Sequence, residues 1–172
     1  MTKKIKDEST DDHRSITLAE VMTPDMANFA GHIHGGHLML LLDKAAYACA
    51  ARYCGHYVVT LSVDHIFFKE PIFVGELVMF YAMVNYVGTS SMEIGIKVIA
   101  ENLQNGTQRH TNTCYFTMVA LDEQGKPIAI PKLELRDDIE RYRYKEAELR
   151  RELRLEYSKK HQAHKLKQNI QD

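Results

Sequence analysis

The chain has 172 residues, of which 22 are Lys or Arg and 23 are Asp or Glu, so its formal net charge is −1. This length fits one domain with a sizeable core, and the balance of charge gives no sign of a nucleic-acid partner. No stretch approaches the roughly 20 consecutive apolar residues of a membrane-spanning helix, and the polar N-terminus lacks the apolar segment of a secretory signal. Three cysteines at spacings that match no zinc site favour a reducing environment. We therefore expect a cytoplasmic protein.

The first part of the chain contains one predicted strand and one predicted helix. Residues 1–14 are almost wholly polar, and we expect them to be disordered. Alternating apolar residues over 15–22 predict a strand, which Pro24 closes. A polar loop then leads into an apolar helical run that we place from about Gly36 to Tyr53, with Gly55 as a C-terminal glycine.

From residue 57 onward the apolar residues recur every two positions, which indicates strands. Four strands are predicted, over residues 57–68, 76–87, 91–100 and 109–121. One early helix followed by four strands implies an α+β fold in which an antiparallel sheet carries a helix on one face. We assign these elements to a single domain over residues 15–135.

Residues 136–172 form a charged C-terminal segment. Acidic and basic residues alternate there at helical spacing with few apolar residues between them, so a helix from Asp137 to about Lys165 would lack a wide face to bury. We expect this helix to be an exposed or subunit-bridging appendage that frays after Ser158. Its Lys and Arg residues are more often a solvated face than a binding site.

Asp43 is unusual because it is a carboxylate set between Leu42 and the small residues Ala45 and Ala46 of an apolar helix. Burying it without a partner would be costly, so it must be hydrogen-bonded, exposed at a cleft or chemically useful. A helix that begins near Gly36 offers bare backbone amides that suit a developing negative charge. The Gly36 amide and the Asp43 carboxylate lie on one stripe of the helix but about 10 Å apart along its axis. If both serve one reaction, a dimer with a two-fold axis must bring them together from different chains.

Three segments carry a family pattern. Residues 28–46, NFAGHIHGGHLMLLLDKAA, match N-x-x-G-x-x-[HF]-G-G-x-x-M-x-x-x-D-x-x-A; residues 63–76 match V-D-x-I-x-F-x-x-P-I-x-V-G-[DE]; and residues 88–91 match G-[TR]-[TS]-S. Together they resemble the hot-dog fold acyl-CoA thioesterases, in the acyl-CoA hydrolase branch of the bacterial YciA-type enzymes and the brain-type cytosolic acyl-CoA hydrolase. The resemblance covers about residues 15–135, and a charged C-terminal helix is also usual in this branch.

The resemblance implies a hot-dog fold, a curved antiparallel sheet wrapped around the helix, in a homodimer with active sites at the interface, often within a trimer of dimers. It implies that backbone amides of Gly35 and Gly36, after His34 of the H-G-G motif, polarise the thioester carbonyl. Asp43 would act as general base or as nucleophile, and Asn28 would orient the water or the carbonyl. Coenzyme A enters as part of the substrate and product, and no other cofactor is implied.

Further residues are candidates for substrate binding. The turn after the third predicted strand lies near the coenzyme A channel in this family, while one helical methionine and a second carboxylate lie in the matched segments. These candidates are Met39, Asp64, Gly88, Thr89, Ser90 and Ser91. His32, His34 and His37 could supply three zinc ligands, but their spacing differs from H-E-x-x-H and no acid completes the set, so we expect no metal.

The leading hypothesis is an acyl-CoA thioesterase that hydrolyses an acyl-CoA to a free acid and coenzyme A. A thiolate leaves readily, so one base and an oxyanion site suffice, and the chain has no G-x-S-x-G nucleophile motif. Two alternatives remain: an aryl- or phenylacetyl-CoA thioesterase of the same fold, and a non-catalytic acyl-CoA-binding module. A dehydratase of this fold is a weaker alternative, since its D-x-N-P-x-H pattern is absent.

Overall fold

The computed structural model describes residues 13–168, and most of the predicted disordered segment, residues 1–12, lies outside them. Within the described part, Arg14 is buried, and its carbonyl oxygen accepts a 2.9 Å hydrogen bond from the amide of Val84. The elements are β1 Ser15–Val21, a 3-10 helix Pro24–Met26, α1 Gly35–Cys54, β2 Tyr57–Val63, β3 Leu77–Val87, β4 Ser91–Glu101, β5 Gln108–Leu121 and α2 Asp138–Gln168. Two compact units can be separated, the first ending at Lys132 and the second beginning at Leu133.

The first unit is a five-stranded antiparallel sheet in the order β1-β3-β4-β5-β2. Register shifts in the β2–β5, β3–β4 and β4–β5 pairings mark bulges, and bulges bend and twist strands. The result is a curved sheet with β1 and β2 at its edges. The predicted α+β class, with an antiparallel sheet around one long helix, is confirmed.

The core lies between the concave face of the sheet and α1. Alternate residues of each strand point toward the helix, and the helix presents small residues that allow close approach. The sheet contributes Phe80, Ile94, Ile96, Phe116 and Met118, and the helix contributes Leu42, Ala45, Ala46, Cys49 and Ala50, all of them fully buried. The helix ends where Gly55 adopts the left-handed conformation with φ +72° and donates its amide to the Ala51 carbonyl.

Most predicted element boundaries agree with the structure to within one residue, but the strand predicted over residues 57–68 is too long. β2 ends at Val63, and beyond it only two separate hydrogen bonds among those of the described backbone join the chain to β5, from the Asp64 amide to the Tyr115 carbonyl at 3.0 Å and from the Lys69 amide to the Thr111 carbonyl at 3.3 Å. Phe67 and Phe68 then lie exposed in a loop. The prediction failed because aromatic residues that suit a strand here lie in the loop beside the helix N-terminus.

The second unit contains α2, which begins one residue after the predicted start. Asp137 caps it, since its Oδ1 accepts the amide of Glu140 at 2.7 Å, while Glu140 Oε2 accepts the amide of Arg136 at 2.8 Å. The predicted fraying after Ser158 is wrong, because the helix continues to Gln168. Pairs four residues apart span that position: Lys160 lies 2.7 Å from Glu156, and the rings of Tyr157 and His161 stack.

Candidate active site

The loop before α1 is organised by the side chain of Asn28. The side-chain Oδ1 accepts hydrogen bonds from the backbone amides of Ala30 at 2.9 Å and His32 at 3.2 Å. The backbone amide of Asn28 donates to the His32 carbonyl at 2.7 Å. Gly31, at φ +80°, allows the chain to reverse direction inside this loop. Both N–H groups need an acceptor, so the oxygen of the side-chain amide must face them, and this fixes the orientation of the amide. The Nδ2 group then points away from these two amides and can act as a donor.

His34 is the N-cap of α1. Its Nδ1 accepts the amide of Gly36 at 3.0 Å, and its carbonyl accepts the amides of His37 and Leu38. The expectation of a bare amide at Gly36 is therefore wrong: an imidazole occupies the place that Ser, Thr, Asp or Asn takes in most N-caps. Within the described structure, the Gly35 amide is the first-turn donor without such a partner.

The two glycines of the H-G-G motif have different neighbours. A Cβ at Gly36 would lie 3.2 Å from Nδ1 of His34, a contact tight enough to disturb the cap, whereas a Cβ at Gly35 would meet the Phe68 ring at an ordinary 3.8 Å. Neither glycine has a positive φ. Close approach of the capping imidazole thus accounts for glycine at position 36, and conformational freedom does not.

Asp43 lies two turns further along α1 and is partly exposed. Its Oδ1 accepts a 2.6 Å hydrogen bond from the Thr60 hydroxyl of β2, so the carboxylate has a neutral donor as its partner. Thr60 stands at the bulge in β2, two residues before Ser62 resumes the pairing with β5. Sequence analysis missed Thr60, because no spacing in the chain relates a strand threonine to a helix carboxylate. The only available signal was that Asp43 needed a partner.

A buried ion pair fixes the second loop of the site. Both carboxylate oxygens of Glu76 accept from Arg109, at 2.6 and 2.8 Å, and Arg109 Nη2 also donates to the Pro71 carbonyl at 2.7 Å. Glu76 Oε2 accepts the amide of Phe73 as well, at 3.0 Å. Only 4% of Glu76 is exposed. Glu76 ends a segment of the family pattern, but no spacing in the sequence indicates its ion pair with Arg109.

The pKa values of this pair follow from its geometry. Burial alone would raise the pKa of Glu76, but the hydrogen bonds from Arg109 and Phe73 and the charge of Arg109 outweigh it, leaving the pKa below the ordinary value of 4.5. The hydrogen bond to Glu76 in turn raises the pKa of Arg109. The pair is therefore fully ionised near neutral pH.

This second loop touches the first. The amide of Ile33 donates to the Ile72 carbonyl at 2.8 Å, and the rings of His32 and Phe73 meet edge to face at 5.1 Å. Since His34 follows directly, the loop that Glu76 and Arg109 hold in place supports the helix cap.

The binding candidates fall in different places. Met39 is half-buried on α1, and Asp64 follows the end of β2 instead of lying within a strand as expected. The turn of residues 88–91 closes the β3–β4 hairpin, with the Gly88 amide bonded to the Ser91 carbonyl at 2.8 Å. The carbonyls of Thr89 and Ser90 accept the amides of Ile130 and Ala120, so the backbone of this turn is fixed.

The site residues form two groups along α1, one at its N-terminus and one beside Asp43 two turns further on. Asn28, His34 and the two glycines lie with the loop that reaches the start of β5, where the Lys69 amide bonds to the Thr111 carbonyl. Thr60, and with it Asp43, pairs with Met118 near the end of β5, and the 88–91 turn bonds to Ala120 there. Gly36 and Asp43 lie seven residues apart on α1, about 10 Å along the helix axis, which is too far for one carbonyl to contact both. One chain therefore does not bring all the predicted site residues together.

Among residues 13–168, no three His, Cys, Asp or Glu side chains are grouped so that they could hold a metal ion. The three histidines of the first loop are separated by their roles, since His34 caps the helix and His32 packs on Phe73. No helix in this part of the chain is both long and apolar enough to cross a membrane.

A curved five-stranded antiparallel sheet around one long helix, with a carboxylate on that helix, describes the hot-dog class of proteins. A family model described as "Thioesterase superfamily" matches residues 30–107. Protein VdlD of Helicobacter pylori strain 26695 is 48% identical over 145 residues, which are 84% of this chain and 83% of that protein.

Solved structures agree. An acyl-CoA hydrolase from Staphylococcus aureus, solved with butyryl coenzyme A and coenzyme A, is 34% identical and superposes with a TM-score of 0.77 over 85% of this chain and 91% of that one. An apo-hexameric acyl-CoA thioesterase is 31% identical with a TM-score of 0.81, over 84% and 92% of the two chains. The chain belongs to the thioesterase superfamily, among the hot-dog acyl-CoA hydrolases. The Staphylococcus hydrolase was also solved with an asparagine, an aspartate and a threonine, at its own positions 28, 43 and 60, each replaced by alanine.

Proposed function

We propose that this protein is an acyl-CoA thioesterase that hydrolyses an acyl-CoA to a carboxylic acid and coenzyme A. The hydrogen bond between Asp43 and Thr60 carries the proposal. It joins the carboxylate of the family motif to a strand threonine, and the Staphylococcus hydrolase was solved with an aspartate and a threonine replaced at the same position numbers. Asn28 likewise has a counterpart in type and number.

In the proposed reaction, Asp43 takes a proton from a water molecule whose oxygen attacks the thioester carbonyl. The hydroxyl of Thr60 holds Oδ1 of the carboxylate, which leaves Oδ2 for the water. The tetrahedral intermediate then expels the thiolate of coenzyme A, which takes up a proton, and the free acid is released. Direct attack by Asp43 through a mixed anhydride, later hydrolysed by water, is the alternative route to the same products.

The negative charge on the carbonyl oxygen needs donors, and the N-terminus of α1 offers them. The Gly35 amide would donate directly, and the Gly36 amide would be shared between the oxyanion and the imidazole of His34. Each such donor contributes about 3 to 4 kcal/mol to an acyl-transfer transition state. The Nδ2 group of Asn28 would orient the water or the carbonyl. No metal or redox cofactor has a part in this reaction.

We place each active site between two chains. The two groups of site residues lie about 10 Å apart along α1, so an antiparallel partner would set the helix N-terminus of one chain against Asp43 of the other. The free edge of β2 suits such pairing, because three residues of this strand are apolar and exposed: Tyr57, Leu61 and Val63. A trimer of such dimers would match the hexameric thioesterase.

For substrate binding we retain Met39, Asp64 and the turn of Gly88, Thr89, Ser90 and Ser91, the last group as a contact of coenzyme A. This turn lies toward the Asp43 end of the sheet, as a shared site requires. The three cysteines are buried thiols, which suits a cytoplasmic protein.

An acyl-CoA panel with detection of the released thiol tests the proposal. Wild type should hydrolyse at least one of a series from short to long aliphatic thioesters and phenylacetyl-CoA, and Asp43→Asn should lose nearly all turnover while it keeps the wild-type oligomer. Lys44→Ala, an exposed neighbour on the same helix, is the matched control and should keep its activity. Full turnover by Asp43→Asn would sink the role of Asp43. Binding of coenzyme A without turnover would favour the non-catalytic module, and a preference for phenylacetyl-CoA would favour the aryl-CoA alternative.

A further inference from the structure

α2 carries an exposed apolar stripe that the proposed reaction does not use. Its members recur at helical spacing on one face, and each is between 50% and 73% exposed. We call the following residues the α2 stripe: Ile139, Tyr142, Leu149, Leu153 and Tyr157. Five large apolar side chains along one face exceed the scattered apolar residues of an ordinary surface, and such a patch marks an interaction site.

The α2 stripe lies on a different face of the helix from Ala147. Ala147 is fully buried, and at about 100° per residue it lies about 120° around the helix from Leu153. Leu155, 46% exposed, lies on the far side of the helix, about 160° from Leu153. The stripe is therefore an additional face, and Leu155 provides a control residue of similar exposure outside it.

The charges along α2 restrict how a partner helix could lie on the stripe. From Leu149 to Gln168 the helix has seven Lys or Arg and two acidic residues, whereas from Asp138 to Glu148 it has four acidic and three basic residues. A parallel copy would set the strongly basic half against itself. An antiparallel copy sets each basic half against a half that holds most of the acidic residues, which lowers the repulsion.

We propose that the α2 stripe binds the same stripe of a second copy of this chain, antiparallel, about a two-fold axis at Leu153. In this register Leu153 meets itself and Leu149 lies opposite Tyr157 of the other copy. Glu146 lies opposite Lys160 of the other copy. Because the axis repeats this contact, the interface contains two Glu146–Lys160 ion pairs. The contact runs along a helix of 31 residues, about 46 Å long.

Disulfide cross-linking tests the register. All three native cysteines are buried, so an introduced cysteine on α2 is the exposed thiol. Leu153→Cys lies on the axis and should form a covalent dimer on mild oxidation. Leu149→Cys should not, because four residues on each side of the axis separate the two thiols by about 12 Å, beyond the roughly 7 Å Cα separation that a disulfide tolerates. Equal yields from both variants, or none from Leu153→Cys, overturn the proposal.

Charge exchange tests the interaction itself. Glu146→Lys and Lys160→Glu should each weaken the association of the full-length protein in sedimentation, and the double variant should restore it. Leu153→Glu should raise the dissociation constant of this step about tenfold or more, whereas Leu155→Glu should leave it unchanged. Circular dichroism checks that each variant keeps its helix. Wild-type association in both single charge variants, or equal effects of the two Leu→Glu changes, would contradict the interface, and a partner other than a second copy would then have to cover the stripe.

Discussion

The hydroxyl of Thr60 donates a 2.6 Å hydrogen bond to Oδ1 of Asp43, from an edge strand to the central helix. The bond orients a partly exposed carboxylate, and its donor is a neutral hydroxyl group. The helix supplies the acid, and the bulged part of β2 supplies the group that holds it.

Replacing Thr60 should therefore reduce turnover more than binding. Thr60→Val removes the hydroxyl at nearly constant volume and should lower kcat about tenfold or more, since a misplaced base loses much of its contribution. Thr60→Ser keeps the donor and should recover most of the rate. Steady-state kinetics with a good acyl-CoA substrate measures both, and the prediction fails if KM changes while kcat does not.

A shared active site predicts complementation between inactive variants. Asn28→Ala and Asp43→Ala disable groups that different chains would contribute to one site, so a mixed dimer would hold one intact site out of two. Co-expression at equal levels makes half of the dimers mixed, and should restore about a quarter of wild-type activity. Each variant expressed alone is the control. No recovery in verified mixed dimers would place the complete site within one chain.

The two glycines before α1 should respond differently to the same change. Gly36→Ala sets a Cβ 3.2 Å from Nδ1 of His34 and should displace the cap, with a cost of about 1 kcal/mol in stability and a loss of kcat through the moved amides. Gly35→Ala meets only an ordinary 3.8 Å contact with Phe68 and should fold as wild type. Chemical denaturation and kcat on both variants provide the comparison; equal stability of the two would argue against the cap.

The ion pair of Glu76 and Arg109 predicts a pH-dependent contribution to stability. Because the folded-state pKa of Glu76 lies below 4.5, its carboxylate stabilises the fold above that pH, and the contribution is lost as the pH falls through the folded-state pKa. Glu76→Gln should lower the free energy of unfolding at pH about 7 by about 3 kcal/mol, since it leaves a guanidinium without its charge partner. Urea unfolding should show this difference shrinking as the pH falls below about 4. A difference that does not change with pH would show that the charge of Glu76 is unimportant.

The native protein should show almost no thiol reactivity of its own. All three cysteines are buried, and burial raises the pKa of the Cys114 thiol to about 12, so its thiolate is scarce at pH about 8. A chromogenic disulfide reagent should react slowly with folded protein and with three thiols after denaturation. Rapid native reaction would mean that the core opens readily.

Periodicity predicted the elements well where one physical requirement governed many residues. The strands β3, β4 and β5 alternate over 11 to 14 residues, and one face of each must be buried, so their boundaries could be predicted closely. The loop after β2 could not, because Phe67 and Phe68 have strand propensity but no strand partner. The continuation of α2 past Ser158 could not be predicted from apolar periodicity, because the side-chain pairs that support the helix there, Glu156 with Lys160 and Tyr157 with His161, are polar or aromatic.

For the site, the sequence alone determined its chemical groups: a glycine turn that opens a helix, and a carboxylate two turns along that helix. It also determined their separation of about 10 Å, because the helical rise is constant. The tertiary structure decided what the sequence could not express. Thr60 and Asp43 are 17 residues apart and meet only through the pairing of β2 with β5. Arg109 reaches Glu76 across 33 residues. Contacts between distant parts of a chain depend on register and packing, and no local pattern records them.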